Sequence, residues 1–260
     1  MNYWTDLSIQ YANQKSYLDD LFQVYPTIPD GIRDIDPQKW NNIETEFKAK
    51  NNVKLIQELL KMDLFPIKDS YIAYLKRDIT AIDRNPKTID RICGRLYEMG
   101  LAKIFEKCSE PKETNRQIGP MFGNWIAKKS LGLLPVPVDQ FLSAKGNAIL
   151  AGSDDERKKF AKEHLNYHRE KGLDLVARFN GKYVIGEAKF LTDFGGSQNS
   201  DFEDAIATLD YKDSNAVKVA IIDGVIYIRN KNKMHKFITN AYKDYNIMSS
   251  LVLREFLYQL

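Results

Sequence analysis

The amino-acid sequence indicates an α/β protein in which helices and strands are unevenly distributed along the chain. Apolar residues recur at helical spacing through about the first 110 residues, and two strand-like segments flank an Asn-Gly pair further on. Asn-Gly between such segments is a strong hairpin signal, because both central residues of a type I′ turn need positive φ. With 260 residues, 43% of them hydrophobic, the chain can bury a large core.

Several segments in the N-terminal part are predicted to be helical, and turns rich in Pro, Asp and Asn separate them. Pro86 after Asn85 favours a helix start, and Gly100 fits a C-terminal cap. Further helices are expected over residues 114–130 and 154–170. The N-terminal segments are YANQKSYLDDLFQVY, NNVKLIQELLKMDLF, DSYIAYLKRDITAI and PKTIDRICGRLYEMGLAKIF.

The C-terminal part has the spacing of strands. LDLVARF and KYVIGEAKF form the two arms of the hairpin, and a helix is expected to open at Ser200 with Glu203 completing a capping box. The strand AVKVAIID, a turn at Asp223 and Gly224, and the strand VIYIRN follow. Two helices then end the chain.

Charge and cysteine content narrow the classes of protein. The 38 Lys and Arg residues against 35 Asp and Glu leave a net charge of +3, which is compatible with a polyanionic partner without indicating one. Cys93 and Cys108 form neither a CxxC pair nor a disulfide-rich pattern, and the N-terminus lacks the layout of a signal peptide. No apolar stretch approaches the roughly 20 residues that cross a bilayer. We therefore expect a cytoplasmic protein without a membrane role.

Three charged side chains interrupt the hairpin arms. Asp174 lies within the first arm, and Glu187 and Lys189 interrupt the end of the second. Residues two apart on a strand face the same side, so Glu187 and Lys189 should project together. A two-residue turn at Asn180 and Gly181 places Asp174 opposite Glu187. Facing carboxylates repel unless a cation lies between them, which favours Mg²⁺, with Lys189 orienting or deprotonating a water.

The spacing of Asp174, Glu187 and Lys189 resembles the PD-(D/E)xK nuclease signature, with Leu173 where the family name has Pro. The predicted order of elements is similar to the αβββαβ core of that superfamily, which has a mixed central sheet. A single chain with a helical N-terminal region is most similar to type II restriction endonucleases. The resemblance implies sequence-specific hydrolysis of phosphodiester bonds in double-stranded DNA. It also implies Mg²⁺ held by Asp174 and Glu187, with Mn²⁺ as a substitute.

The resemblance also bears on domains and partners. Residues 1–112 are expected to form a helical region for DNA binding or dimerisation, and residues 113–260 the nuclease core. We expect a homodimer, because one catalytic set per chain must cut both strands of a palindromic site. A cognate DNA methyltransferase is expected in the same system, without a stable complex between the two proteins.

Further residues are candidates for metal or DNA contacts. Many members of the superfamily add a carboxylate from the helix before the hairpin, where this chain has Glu113, Gln117 or Asn124. Glutamine and asparagine in the 193–199 loop fit bidentate contacts to adenine, although an ordinary connection explains the loop equally well. The helix PKTIDRICGRLYEMG is either a recognition helix or a packing element. The DNA-binding candidates are Ser197, Gln198, Asn199, Lys87, Arg91 and Arg95.

Two weaker patterns and two rival functions complete the set of hypotheses. His164 and His168 have the spacing of a zinc pair on a predicted helix, but a polar helix face explains them better. A structure-specific repair or junction nuclease of the same fold would cut DNA without giving discrete fragments, and a non-catalytic DNA-binding protein would cut nothing. A basic run fits phosphate contacts or a solvated helix start, and it comprises Arg229, Lys231, Lys233, His235 and Lys236.

Overall fold

The computed structural model describes residues 1–14, 16–26, 33–110, 118–229 and 232–260. The α-helices are α1 (Tyr3–Ala12), α2 (Tyr17–Val24), α3 (Pro37–Lys48), α4 (Asn52–Leu60), α5 (Ser70–Arg77), α6 (Ala81–Arg84), α7 (Pro86–Met99), α8 (Leu101–Cys108), α9 (Ile118–Ala127), α10 (Val138–Ser143), α11 (Asp154–His164), α12 (Ser197–Asp210), α13 (Lys233–Lys236) and α14 (Ser250–Tyr258). The strands are β1 (Pro135–Val136), β2 (Ala148–Leu150), β3 (Leu175–Phe179), β4 (Lys182–Leu191), β5 (Val217–Gly224) and β6 (Ile247–Met248). A 3₁₀ turn covers Val225–Tyr227, and a π-helical turn covers Phe237–Ala241.

The chain divides into two compact units. One unit contains the sheet and consists of Met1–Ile28 and Glu113–Leu260, and the other is the helical segment Pro29–Lys112. The sequence-based division places all of residues 1–112 in one helical region. The first helices differ from that expectation, because α1 and α2 belong to the sheet unit.

Buried polar contacts attach the first helices to the sheet unit. Tyr25, just after α2, is fully buried, and its hydroxyl donates a 3.0 Å hydrogen bond to Oδ2 of the buried Asp223 on β5. Thr5 in α1 donates a 2.8 Å hydrogen bond to the carbonyl of Ile247 in β6. Buried polar groups need such partners, so these two bonds specify where α1 and α2 pack.

The sheet has the strand order β1-β2-β3-β4-β5-β6. Strands β2, β3 and β4 form an antiparallel meander, β1 is parallel to β2, and β5 and β6 extend the sheet in parallel from β4. Helix α12 makes the crossover that a parallel β4–β5 pair requires. With α9 before these strands, and with α11 inserted between β2 and β3, the core order is helix, three strands, helix, strand. The fold is therefore the expected αβββαβ arrangement with a mixed sheet, typical of restriction endonucleases.

Apolar residues cover both faces of the central strands. Ala177 and Val184 contribute to one core cluster, whereas Val176 and Ile185 contribute to another. The alternation follows from the period of two along a strand. Because both faces are covered, β3 and β4 consist mostly of buried residues, and Glu187 within β4 is buried with them.

Three details of the C-terminal part differ from the sequence expectations. Helix α12 begins at Ser197 after Gly196, so the expected capping box at Ser200 is wrong. Gly224 pairs with Leu191 at the end of the parallel β4–β5 ladder, so no hairpin forms there. The segment expected as the strand VIYIRN therefore begins as a 3₁₀ turn. The short strands β1, β2 and β6 were not expected at all.

The helical unit has an apolar core of its own. Helix α7 begins at Pro86 and ends before Gly100, whose φ is +78°, as the sequence predicts. Cys93 and Cys108 are buried free thiols in this core. Within the described ranges of the whole chain, no helix combines the length and apolar character needed to cross a membrane. The core also includes Ile43, Leu55, Ile56, Leu59, Ile89, Ile92, Leu96 and Ile104.

Candidate active site

The hairpin of β3 and β4 sets the register of the site. Asn180 and Gly181 have φ values of +49° and +78°, as a type I′ turn requires. Leu175 pairs with Gly186 at the end of the ladder, and the backbone N–H of Asp174 donates a 3.0 Å hydrogen bond to the Gly186 carbonyl. The observed register is the one expected from a two-residue turn. It places Asp174 at the end of β3, beside the part of β4 that carries Glu187.

Asp174 is a buried carboxyl group, with 8% of the residue exposed. Its Oδ2 accepts a 2.7 Å hydrogen bond from the backbone N–H of Ala188, which fixes the side chain against β4. Burial raises the pKa of Asp174 to about 7, and the negative charge of Glu187 adds to the effect. Asp154 at the start of α11 raises the pKa further. The ionised form of Asp174 is therefore disfavoured at this position, because burial and two neighbouring acidic groups oppose its negative charge.

Glu187 is more deeply buried, with 3% of the residue exposed. Its Oε1 accepts a 2.8 Å hydrogen bond from Nζ of Lys189, and Nζ of Lys171 lies 4.0 Å from the same oxygen. Its Oε2 is buried and has no hydrogen-bond partner. Burial raises the pKa of Glu187 even though the two lysines lower it. An unpartnered buried carboxylate oxygen costs free energy unless a further ligand satisfies it.

Lys189 lies on the same face of β4 as Glu187, because the two residues are two apart on the strand. Burial lowers the pKa of the Lys189 ammonium, but the charge of Glu187 and its hydrogen bond raise it more, so the net pKa is above the ordinary value. Lys189 is therefore protonated at neutral pH. In this state it can only donate hydrogen bonds.

These groups line an open cleft of about 370 Å³ in the sheet unit. Gly119 of α9 also lines the cleft, and a Cβ atom there would lie 3.6 Å from Oδ1 of Asp174. Lys171 was missed by the sequence reasoning, although it stands shortly before Asp174 in the segment KGLD. The remaining polar residues around the cleft are Asp154, Asp155, Gln198 and Asp201.

The residues present fit a hard divalent cation. Asp174 and Glu187 are buried carboxyl groups whose charges repel, and Oε2 of Glu187 lacks a partner. Mg²⁺ typically uses one or two protein carboxylates and fills its remaining positions with water and substrate phosphates. The described residues contain no group of three His, Cys, Asp or Glu side chains arranged to hold a metal. The candidate third ligands Glu113 and Gln117 lie outside the described residues. Asn124 is exposed on α9 and lines a neighbouring groove that shares Gly119 and Asp154 with the cleft.

The candidates for DNA contacts around α12 have different surroundings. Gln198 is buried, and its Oε1 accepts a 3.1 Å hydrogen bond from the backbone N–H of Thr192, so this oxygen fixes the loop before α12. Ser197 and Asn199 are exposed in the first turn of α12. Asn199 borders a separate groove between α12 and the 233–242 segment. The structure therefore groups Gln198 with the cleft and leaves Ser197 and Asn199 facing solvent.

The candidates on α7 lie in the helical unit. Lys87, Arg91 and Arg95 are exposed, as expected for one polar face of that helix. Arg91 donates a 2.7 Å hydrogen bond to Asp69 and lies over the ring of Tyr71, 5.6 Å from its centroid. The Arg91 guanidinium is thus held by two neighbours.

The two histidines do not lie on one helix. Helix α11 ends at His164, and Nε2 of His168, in the following loop, lies 2.8 Å from Oδ1 of Asn166. In the basic run, Lys231 lies outside the described residues, whereas Arg229, Lys233 and Lys236 are exposed. Nδ1 of His235 lies 2.9 Å from the carbonyl oxygen of Ile226, a contact within the C-terminal segment.

Comparison with known proteins identifies the family of the chain. The family model described as Tsp45I type II restriction enzyme matches residues 2–260. No curated protein and no solved structure matches the chain. Type II restriction enzymes are site-specific deoxyribonucleases that act on DNA and generally use a divalent metal, in agreement with the two buried carboxyl groups of the cleft. Since the match spans nearly the whole sequence, the chain belongs to the Tsp45I family of type II restriction enzymes.

Proposed function

We propose that this restriction endonuclease hydrolyses phosphodiester bonds of double-stranded DNA with Mg²⁺, and that Asp174, Glu187 and Lys189 form its catalytic site. One observation carries the proposal. Glu187 presents one oxygen to the Lys189 ammonium while its other oxygen is buried without a partner, and Asp174, which is also buried, lies beside it. A divalent cation satisfies both carboxylates in such a site, and Mn²⁺ is expected to substitute for Mg²⁺.

The side chains divide the chemistry between them. Asp174 and Glu187 would hold the metal, and the Ala188 N–H fixes Asp174 in place. When bound, Mg²⁺ supplies positive charge that stabilises the phosphoryl oxygens in the transition state. Lys189 donates a hydrogen bond that orients the attacking water towards phosphorus. The water oxygen bonds to phosphorus as the bond from phosphorus to the leaving oxygen breaks, and the proton that the water loses passes to solvent, which protonates the leaving oxygen. The raised pKa of Lys189 favours this donor role over proton abstraction.

The direct test is digestion of phage DNA by the purified protein with Mg²⁺, followed by sequencing of the fragment ends. Discrete fragments with a common end sequence are expected, and EDTA should prevent their formation. Mn²⁺ added after EDTA treatment should restore the same fragments. Random degradation would contradict sequence-specific cutting, and no cutting with either metal would contradict the proposed chemistry.

The assembly proposal follows from the number of active sites. Each chain supplies one set of Asp174, Glu187 and Lys189, whereas breaking a duplex takes a cut in each antiparallel strand. We therefore propose a homodimer acting on a palindromic or near-palindromic site. Sedimentation should give about twice the chain mass, and supercoiled plasmid should become linear with little nicked intermediate. A monomer that accumulates nicked circles would contradict the dimer.

The biological setting is also a proposal. The enzyme is proposed to act in the cytoplasm, where a cognate DNA methyltransferase protects the host sites without forming a stable complex with it. Methylation of the mapped site should therefore block cutting. Co-purification of the two proteins at equal amounts would contradict the absence of a stable complex.

A further inference from the structure

A second lysine, Lys171, is held at the cleft next to β4. Nζ of Lys171 lies 2.7 Å from Oδ2 of Asp204 on α12 and 4.0 Å from Oε1 of Glu187. The side chain is 37% exposed, so the ammonium is accessible from the cleft. The nearby backbone is fixed by the N–H of Leu173, which donates a 3.3 Å hydrogen bond to the carbonyl of Asp154. The lysine is therefore held close to the site but open to solvent.

A need to neutralise the charge of Glu187 does not explain why Lys171 lies at this position. Lys189 already donates a 2.8 Å hydrogen bond to Oε1 of Glu187, whereas Lys171 stands at 4.0 Å from that oxygen. Stabilisation of the fold is a weak explanation for the position of Lys171, because partly exposed ion pairs such as Lys171–Asp204 typically contribute little to the free energy of unfolding. The ion pair instead keeps a long, flexible side chain pointing to one place.

The charge of the cleft indicates what the lysine could bind. Its described lining includes several acidic side chains, and the lining cations in the described part of the chain are Lys171 and Lys189. A DNA phosphate entering this cleft meets strong repulsion unless cations compensate it. The acidic residues are Asp154, Asp155, Asp174, Glu187 and Asp201.

We propose that Lys171 binds a non-bridging oxygen of the DNA phosphate at the reacting centre, leaving Asp204 for the phosphate when DNA enters. This inference rests on the proposed function. A phosphate monoanion with ordered oxygens competes well with a half-exposed carboxylate, because charge-assisted hydrogen bonds to phosphate are strong. Asp204 is then a positioning residue that holds Lys171 ready before DNA arrives.

The experiment compares Lys171→Met and Lys171→Gln with Asp204→Asn and the control Lys182→Met. Lys182 is an exposed lysine at the opposite end of β4 from Lys189. DNA binding is measured in Ca²⁺ without cutting, on a labelled duplex with the mapped site and on one without it, over a range of salt concentrations. Single-turnover cutting is measured in Mg²⁺.

Both Lys171 variants should bind each duplex more weakly, with the slope of log affinity against log salt reduced by about 1. Their cutting rate should fall roughly tenfold or more. Asp204→Asn keeps the charge of Lys171, so its salt dependence of DNA affinity should be that of the wild type. Lys182→Met should cut DNA at the wild-type rate. The proposal is overturned if both soluble Lys171 variants keep the wild-type slope, or if Asp204→Asn loses as much slope as they do.

The experiment distinguishes a failure of the proposed function from a failure of the proposed role of Lys171. A wild-type protein that cuts no DNA refutes the proposed function, whatever its variants do. A wild-type protein that cuts, together with Lys171 variants that cut and bind like it, refutes only the role of Lys171. A variant whose melting temperature is within a few degrees of wild type is folded, so its loss of cutting is not a loss of fold. If Lys171→Met unfolds, the conclusion is drawn from Lys171→Gln.

Discussion

Nζ of Lys189 lies 2.8 Å from Oε1 of Glu187, while Oε2 of the same carboxylate is buried without a hydrogen-bond partner. The two oxygens of Glu187 therefore have unequal surroundings. One is committed to an ammonium group on the same strand face, and the other is free to contact a cation. A purely structural ion pair leaves no reason for the second oxygen to be buried, since an unsatisfied buried acceptor is costly. The asymmetry fits a site that binds metal on one side and substrate on the other.

Replacing Lys189 with methionine should separate catalysis from binding. Lys189→Met removes the donor but keeps the length of the side chain, so single-turnover cutting should fall by about 100-fold or more. DNA affinity in Ca²⁺ should change only a few-fold, because the fold and the rest of the surface remain. The matched control is Lys182→Met, which removes an exposed ammonium from the other end of β4. Cutting by Lys189→Met at near the wild-type rate would remove Lys189 from the mechanism.

Glu187→Gln should abolish the stabilisation of the fold by metal. For the wild type, metal at 100 times its dissociation constant adds roughly 2.7 kcal/mol to the free energy of unfolding, which is visible as a rise in melting temperature. The neutral amide of this variant lacks the charge that a hard cation requires, so Mg²⁺ should no longer raise its melting temperature. The control Glu163→Gln changes an exposed residue of α11 and should keep the full Mg²⁺ effect. An equal rise in Glu187→Gln would place the metal elsewhere.

The raised pKa of Asp174 predicts a pH dependence of stability in EDTA. Below about pH 3.8, its ordinary pKa, the carboxyl group is protonated in both the folded and the unfolded chain. Between there and about pH 7 the unfolded chain gives up the proton while the folded protein keeps it, so this contribution to stability falls as pH rises and is lost above pH 7. Asp174→Asn does not ionise. Its melting temperature relative to wild type should therefore increase across this window.

The check on this prediction is a series of melting curves from pH 4 to pH 8. Asp213→Asn, at an exposed position of the sheet unit, should show a constant difference from wild type over the same range. A difference between Asp174→Asn and wild type that does not change with pH would show that Asp174 ionises as an ordinary surface carboxyl group. Asp223 also has a raised pKa, but it titrates in both proteins. Glu187 lies beside Asp174 and its charge raises the pKa of Asp174, so the comparison reports the ionisation of this pair of carboxyl groups.

The parts of the site that the sequence predicts are those fixed by short-range geometry. An Asn-Gly turn allows one simple register, and that register brings Asp174 beside β4. The period of two along a strand puts Glu187 and Lys189 on one face. The hairpin and the crossover helix α12 of the αβββαβ order follow from the same local signals, because both are visible as periodic segments, whereas β2 has only three residues and gives no such signal.

What the sequence does not predict depends on contacts between distant residues. Tyr25 and Asp223 are 198 residues apart, and no local pattern shows that the first helices pack against the sheet unit. Lys171 meets Asp204 only because α12 packs beside the hairpin, so the lysine looked like an ordinary polar residue. Strands of two or three residues, such as β1, are too short to show alternation. VIYIRN has the composition of a strand, yet its first residues form a buried 3₁₀ turn.

Gly186 lies directly before Glu187 and allows β4 and β5 to approach closely. A Cβ atom at Gly186 would lie 2.9 Å from Cγ1 of Val219, 3.1 Å from the Val219 carbonyl oxygen and 3.2 Å from Cδ1 of Ile221. The carbonyl belongs to the sheet backbone and moves little, so Gly186→Ala should destabilise the fold by about 1–3 kcal/mol. The displaced strand also carries Glu187 and Lys189, so cutting should fall by more than the loss of folded protein accounts for.

The matched control is Gly123→Ala in helix α9 of the same unit, where a Cβ atom would meet nothing within 4 Å. An alanine in an open helical position should stabilise the fold by roughly 0.5–1 kcal/mol, because glycine loses more backbone entropy on folding. Melting temperatures and cutting rates of the two variants, measured together, test the steric argument. Gly186→Ala melting at or above wild type would show that β4 and β5 can separate at this point, and the placement of Glu187 would then not depend on their close approach.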